Sequence, residues 1–171
     1  PQPIADEAEL YRALDLPLVP PELRENRGEI EAGEAGEIPQ LVEESDLCGV
    51  IHNHSTWSDG RASIEEMART ARELGHAYFG ISDHSKSAFY ARGLDETRLA
   101  EQQAEIEELR ERIEGIEILH GSEVDILADG SLDFDDETLA SLDFVVASVH
   151  SNFGLPEEEM NRRWLAADIK P

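Results

Sequence analysis

Four short apolar runs in this chain each end in a histidine or a carboxylate. Leu47 to Ile51 leads into His52-Asn53-His54, and Tyr78 to Ile81 leads into Asp83-His84. Ile116 to Leu119 leads into Gly121-Ser122-Glu123, and Phe144 to Val149 ends at His150. Asp59 follows the first run closely. Imidazoles and carboxylates without a thiolate suit Zn, Mn or Fe better than a cysteine-rich structural zinc site. Ions held this way make water nucleophilic near neutral pH, and a pair of them can clamp the attacking and leaving oxygens of a phosphoryl group. Arg61 and Lys86 lie near the same run ends. They are candidates to touch a phosphate, set against the plainer reading of surface bases.

Taken singly, these residues say little. A lone His-x-His is commonly incidental, Asp59-Gly60 alone reads as a turn, Glu123 alone as a surface acid, and His150 as a satisfied strand-end histidine. Asp83 could orient a neighbouring histidine or cap a turn. His76 follows a helix and is expected to be exposed; His120, one pleat from the site, is expected to pack. Both are left out of the ligand set. The joint pattern carries the metal reading.

The elements that must position these side chains are legible as alternation. Residues 63–74 form an amphipathic helix with a Ser63/Glu66 capping box and Ile64, Met67, Ala68, Ala71 and Leu74 on one face. Residues 95–114 form a long charged helix with Leu99, Ile106, Leu109 and Ile113 inward. Shorter helices are expected near 136–142 and over 156–167, the last with Pro156 at its start. Strands alternating with helices imply parallel β and an α/β fold. The nearly continuous apolar strands fit a sheet covered on both faces. In a parallel barrel the C-terminal strand ends share one face, so ligands distant in sequence converge. Simple alternation would put His52 and His54 on one side, about 6–7 Å apart at Cα.

Residues 1–45 differ, holding six of the eight prolines. A short helix is expected over 5–14, stopped by Pro20-Pro21. The acidic stretch Glu29 to Glu37, with Gly28, Gly33 and Gly36, reads as a linker or surface loop. The boundary is placed near residue 45, with 46–171 as the second domain.

Composition bounds the rest. The 171 residues are 40% apolar, enough for a core. No apolar run approaches the roughly 18 residues of a membrane span. The start shows no signal peptide, and it lacks a methionine, so the chain is expected to be a piece of something longer. The one cysteine, Cys48, is expected in a buried strand and fits a reducing, cytoplasmic setting. The net charge of −25, from 39 acids and 14 bases, excludes nucleic-acid binding by bulk electrostatics. It suits a salt-adapted surface, or DNA affinity residing in another part of a parent protein.

The segment CGVIHNHSTWSDGRASIEEMARTARELGHAYFGISDHS resembles the opening of PHP (polymerase and histidinol phosphatase) domains. ILHGSEVDIL, residues 129–134 and DFVVASVHSNF resemble later segments of the subgroup attached to bacterial and archaeal family X DNA polymerases. LYRALDLPLVPPELRENRGEIEAG is similar to the stretch joining polymerase core to PHP domain there. The resemblance spans roughly residues 4–165.

It implies a partial, distorted (βα)7 TIM-like barrel with a three-metal site. His52, His54 and Glu123 would hold one metal, Glu123 would bridge to a second bound by His150, and Asp59 and His84 would hold the third. Glu123, His150 and Asp59 would be the catalytic members. The implied activity is a metal-dependent 3′→5′ exonuclease or end-processing phosphoesterase acting on single-stranded DNA or a 3′ end through the parent polymerase in repair. Alternatives are a histidinol-phosphatase-like phosphomonoesterase, or a non-catalytic metal-binding module bracing the polymerase. The family's downstream His-Pro and Asp-x-His ligands do not occur here, and neither do the elements of a polymerase core. The chain is therefore expected to be truncated, to lack one ligand per metal, not to polymerise, and as an open half-barrel to self-associate.

Overall fold

The computed structural model describes residues 4–167. The chain divides into two compact units, residues 1–44 and 45–171, each described by itself.

In the first unit, helix α1 (Glu7–Ala13) is capped by Asp6, whose side chain accepts the Glu9 N–H. A single 3-10 turn, Pro21–Leu23, follows the proline pair. The Arg24 guanidinium donates to Glu7 at 2.7 Å and also to the Val19 carbonyl. The acidic stretch expected to be a linker is instead helix α2 (Glu29–Ala35). Its glycines act as boundaries and a contact point rather than as loop residues. Gly28 (φ +94°) and Gly36 (φ +73°) adopt the left-handed conformation at the two ends. Gly33 sits where an added Cβ would lie 2.6 Å from Pro17 Cγ.

The second unit is mixed α/β. Strands β1 (Gly49–Asn53), β2 (Tyr78–Ile81), β3 (Glu117–Asp125) and β4 (Phe144–Ser148) form one parallel sheet in sequence order, curled as a half-barrel. Helices α3 (Ile64–Glu73), α4 (Glu96–Arg112), α5 (Asp136–Ala140) and α6 (Glu157–Ala166) alternate with them. Among the described residues no helix is long and apolar enough to cross a membrane.

The capping box at α3 forms, with Ser63 and Glu66 bonding reciprocally. Ile64, Ala68 and Ala71 then bury against Phe79, Ile81 and Ile118 of the sheet, Ile106 and Leu109 of α4, and Ile113 at its C-cap. Each large side chain sealed there contributes about 1.5–3 kcal/mol. Leu74, expected on the same face, is 72% exposed because it is the C-cap residue beyond the last turn. A second cluster joins Leu94, Leu99, Val124 and Phe134.

Three further expectations need correction. Cys48 is exposed: β1 begins at Gly49, so Leu47 and Cys48 precede the strand. His76 is half-buried: the chain turns at Gly75 (φ +89°) and bonds back to Ala71, so the ring lines a cleft with Met67 and Thr70. The third run is far longer than its apolar part. β3 pairs with β2 through Glu117–His120 and with β4 through Gly121–Asp125. One nine-residue strand thus carries the stagger a curled parallel sheet requires. Its polar second half is invisible to an apolar-run criterion.

Under the strand ends lies a buried polar relay. Asp83 is fully buried and accepts from the Ser55 N–H (2.7 Å), the Ser55 and Ser58 hydroxyls and Gln102 Nε2 (2.6 Å). Its role is therefore to hold the turn after β1. Gln102, having donated to Asp83, presents Oε1 to His120 Nε2 at 3.2 Å, so that nitrogen carries the proton. His120 Nδ1 is buried with no partner. Burial, the largest cause, lowers the His120 pKa from 6.5 to about 4.

The folded state therefore binds fewer protons than the unfolded chain between pH 6.5 and about 4, and His120 stabilisation is lost as pH falls through that window. The full loss is about 3 kcal/mol. His120→Gln keeps a donor toward Gln102 without a titrating ring. Urea unfolding across this pH range should show a shallower acid dependence for the variant than for the parent chain. Equal slopes would mean that the imidazole titrates freely.

Candidate metal centre

The site is built on one carboxylate. Glu123 lies inside β3, two residues from its end, and is almost fully buried. Its Oε1 is 3.4 Å from His52 Nε2 and 3.2 Å from His150 Nε2. Its Oε2 is 3.3 Å from His54 Nε2 and 3.1 Å from His84 Nδ1. A β-bridge between His84 and Glu123 continues the β2–β3 pairing, which is why these side chains meet. Burial alone would raise the Glu123 carboxyl. A Ser148 hydrogen bond and the charges of His84, His150 and His52 outweigh it and hold the group below its ordinary range. Burial is also the main reason that the His84 pKa is lowered, with Glu123 and Asp59 acting against it.

His52 does not reach Glu123 by simple alternation. Between Val50↔Phe79 and Asn53↔Ile81 the β1 strand holds one residue more than β2, a bulge. His52 takes φ +67°, a left-handed conformation that is costly for a side-chain-bearing residue. The bulge exposes Ile51 and His52 consecutively and turns the His52 ring toward His54, with centroids 5.6 Å apart.

Asp59 sits on the turn after β1, which is pinned from several sides. Asp83 holds Ser55 and Ser58, Arg92 donates to the Thr56 and Ser58 carbonyls, and Arg98 donates to the Trp57 carbonyl. Gly60 closes the turn so tightly that an added Cβ would lie 2.0 Å from the His54 carbonyl oxygen. This brings Asp59 to 3.6 Å from His54 Nδ1 and 3.8 Å from His84 Nε2.

All six candidate ligands converge, as three overlapping triads: His52, His54 and Glu123; His54, Asp59 and His84; His84, Glu123 and His150. Each triad presents donor atoms within 4.8 Å of one another. His54 Nδ1 and His84 Nδ1 are buried without a hydrogen-bond partner. Unsatisfied imidazole nitrogens facing carboxylates fit divalent ions. Arg61 is exposed on the same turn. Lys86 is paired with Glu96 and lies over the Phe134 ring.

Two neighbours escaped the sequence reading. Asp125 alternates with Glu123 on β3 and bonds His150 Nδ1 at 3.1 Å; its i, i+2 spacing was the available signal. Tyr90, on the 3-10 turn Phe89–Ala91, places its ring 6.3 Å from that of His84. Burial first, then Asp125, Glu123 and Asp59, push its phenol above its usual range. No periodicity marks a loop tyrosine.

Comparison with known proteins gives two kinds of match. The PHP domain family model matches residues 51–169. The chain is 45% identical over 157 residues to DNA polymerase/3′-5′ exonuclease PolX of Bacillus subtilis, a match covering 92% of this chain and 27% of that protein. It is 33% identical over 101 residues to a probable phosphatase of Thermoanaerobacter sp. (strain X514), covering 52% of the chain and 41% of the relative. A probable phosphatase of Acetivibrio thermocellus is 35% identical over 105 residues, covering 58% and 39%. The chain thus spans about a quarter to two fifths of the length of these relatives.

The geometry makes metal content a direct test. Elemental analysis should find two or three divalent ions per chain, with fewer in His52→Ala/His54→Ala, whose two rings serve two of the triads. Because imidazoles must be neutral to bind, the ions should be released as pH falls through the histidine range. Equal metal content in both proteins would exclude the triads as the binding site.

Proposed function

The chain belongs to the PHP domain family, and on that premise we propose that it is the metal-dependent phosphodiesterase unit of a family X DNA polymerase, trimming or cleaning DNA 3′ ends in repair. The observation that carries this is the meeting of three His/carboxylate triads on Glu123 at the C-terminal edge of a parallel sheet. Active sites in such folds are built at that edge. In this proposal His52, His54 and Glu123 hold one ion, Glu123 and His150 a second, and Asp59 with His84 a third, the ions being Mn, Zn or Fe. Bound there, they supply Lewis acidity toward a phosphoryl oxygen and an activated water near neutral pH.

The chain's own residues do the rest. Glu123 and the buried imidazoles fix the donor atoms, so that little reorganisation accompanies reaction. Asp59, half-exposed on its pinned turn, closes the site from the solvent side. Tyr90 keeps its proton and is a hydrogen-bond donor at the rim. Arg61 is the base assigned to a substrate phosphate; Lys86 would have to leave Glu96 to take part.

The leader supports the polymerase-linked reading over a stand-alone phosphatase. A match over 92% of the chain must enter residues 1–45, whereas the probable phosphatases match 52–58%. We assign residues 1–45 as the segment that joins a polymerase core to this domain.

The test is a side-by-side assay of a 5′-labelled single-stranded oligonucleotide and a small aryl phosphate, with Mn, Zn or Fe added to the stripped protein. Metal-dependent shortening of the oligonucleotide from its 3′ end is expected, falling to the metal-free background in Glu123→Gln. Faster turnover of the monoester would transfer the proposal to a phosphomonoesterase. Metal binding without hydrolysis of either substrate would leave a bracing module.

A further inference from the structure

Asp125 is a second carboxylate on the face of β3 that carries Glu123, and it is only 4% exposed. Its backbone is fixed on both sides. Its N–H is held by the Ser85 hydroxyl at 3.0 Å, and it stands in register with Ser148 of β4. From there Oδ1 reaches His150 Nδ1 at 3.1 Å, while the opposite nitrogen of that ring, Nε2, faces Glu123 Oε1 at 3.2 Å. Oδ2 is buried with no partner. An unsatisfied buried carboxylate oxygen is destabilising, so the rest of the Asp125 contacts must hold it in place.

A neutral imidazole has one N–H and one lone pair. Placed between two carboxylates, His150 could donate to either. If it donated to Glu123, its only lone pair would point at Asp125, away from the triad, and His150 could not serve there as a ligand. If it donates to Asp125, Nε2 is left with its lone pair aimed where His84 and Glu123 converge. Among the described residues His150 is the one imidazole of the three triads that hydrogen-bonds a carboxylate outside them. His54 Nδ1 and His84 Nδ1 have no hydrogen-bond partner.

We propose that Asp125 is a positioning residue that locks His150 in the Nδ1–H tautomer and so dedicates Nε2 to a divalent ion. This rests on the metal-dependent reading above, and it assigns the function of a residue outside the ligand triads. Carboxylates behind ligating histidines fix ring orientation and raise ligand basicity, and losing one costs about 10–100-fold in metal affinity.

The tautomer can be read without metal or activity. In the ¹⁵N-histidine-labelled, metal-stripped chain, long-range ¹H–¹⁵N correlations above the histidine titration range should show His150 protonated at Nδ1. This is opposite to the form an isolated imidazole prefers. Nε2 protonation in the parent chain overturns the proposal whatever the variants do. Asp125→Asn, checked for folding by circular dichroism, offers an amide that can donate to Nδ1. It should shift His150 toward Nε2–H and weaken the last-bound ion about 10–100-fold while leaving stoichiometry unchanged. Asp125→Glu should restore part of the affinity. A lost equivalent of metal in Asp125→Asn with an unchanged tautomer would make Asp125 a ligand, contrary to the proposal. If the parent chain binds no divalent ion at all, the metal-dependent reading fails while the tautomer result still stands.

Discussion

A carboxylate buried in a sheet must be surrounded by polar groups, and Glu123 has four imidazoles at 3.1–3.4 Å. That requirement organises the second unit. The imidazoles come from β1, from the segment after β1, from the end of β2 and from the end of β4, so all four strands must finish around one point. β3 makes this possible by changing partner midway, which lifts Glu123 level with His84 and sets it against Val146 in the neighbouring strand. Apolar burial between α3, α4 and the outer face of the sheet provides the stabilisation. It does not specify where the strands stop relative to one another.

That specification comes from polar contacts beneath and beside the ligands. Asp83 adjoins His84 in sequence yet points the other way, into Ser55, Ser58 and Gln102. Arg92 and Arg98 hold carbonyls of the same turn from outside. Asp59 inherits its position from these contacts and from the absence of a Cβ at Gly60. The local cost appears at His52, whose left-handed backbone at a bulge persists because both flanking stretches are paired in register with β2.

What was legible in the residues follows the same division. Alternating apolar runs and a capping box are local and periodic, so the parallel α/β order and the ends of α3 could be read directly. The convergence of the six candidate residues could be anticipated because five of them close a run and Asp59 follows the first. The β1 bulge could not, since neither Ile51 nor His52 carries a turn signature. The second half of β3 could not either, because His120, Ser122, Glu123 and Asp125 are buried by polar partners rather than by apolar contact. Glycines misled in the other direction: at Gly28 and Gly36 they end a helix, although their density with acidic residues reads as a linker. Asp125 had a visible i, i+2 relation to Glu123, but only the tertiary pairing with His150 gives that spacing a meaning.

The distribution of charge bears on how such a site could hold a phosphate ester. The net charge is −25, and many of the bases are already committed to the fold. Arg24 is held by Glu7, Arg69 and Arg112 by Glu65, Arg110 by Asp143, and Lys86 by Glu96. Arg163, buried in α6, donates to the Ile126, Leu127 and Ser151 carbonyls. Five of these bases are thus matched by carboxylates, while Glu123, Asp125 and Asp59 gather at the strand ends. A phosphate approaching this edge meets like charge unless divalent ions reverse it. In a protein of this composition the ions would supply attraction as well as chemistry, so on the proposed reading substrate affinity and turnover would depend on the same histidines.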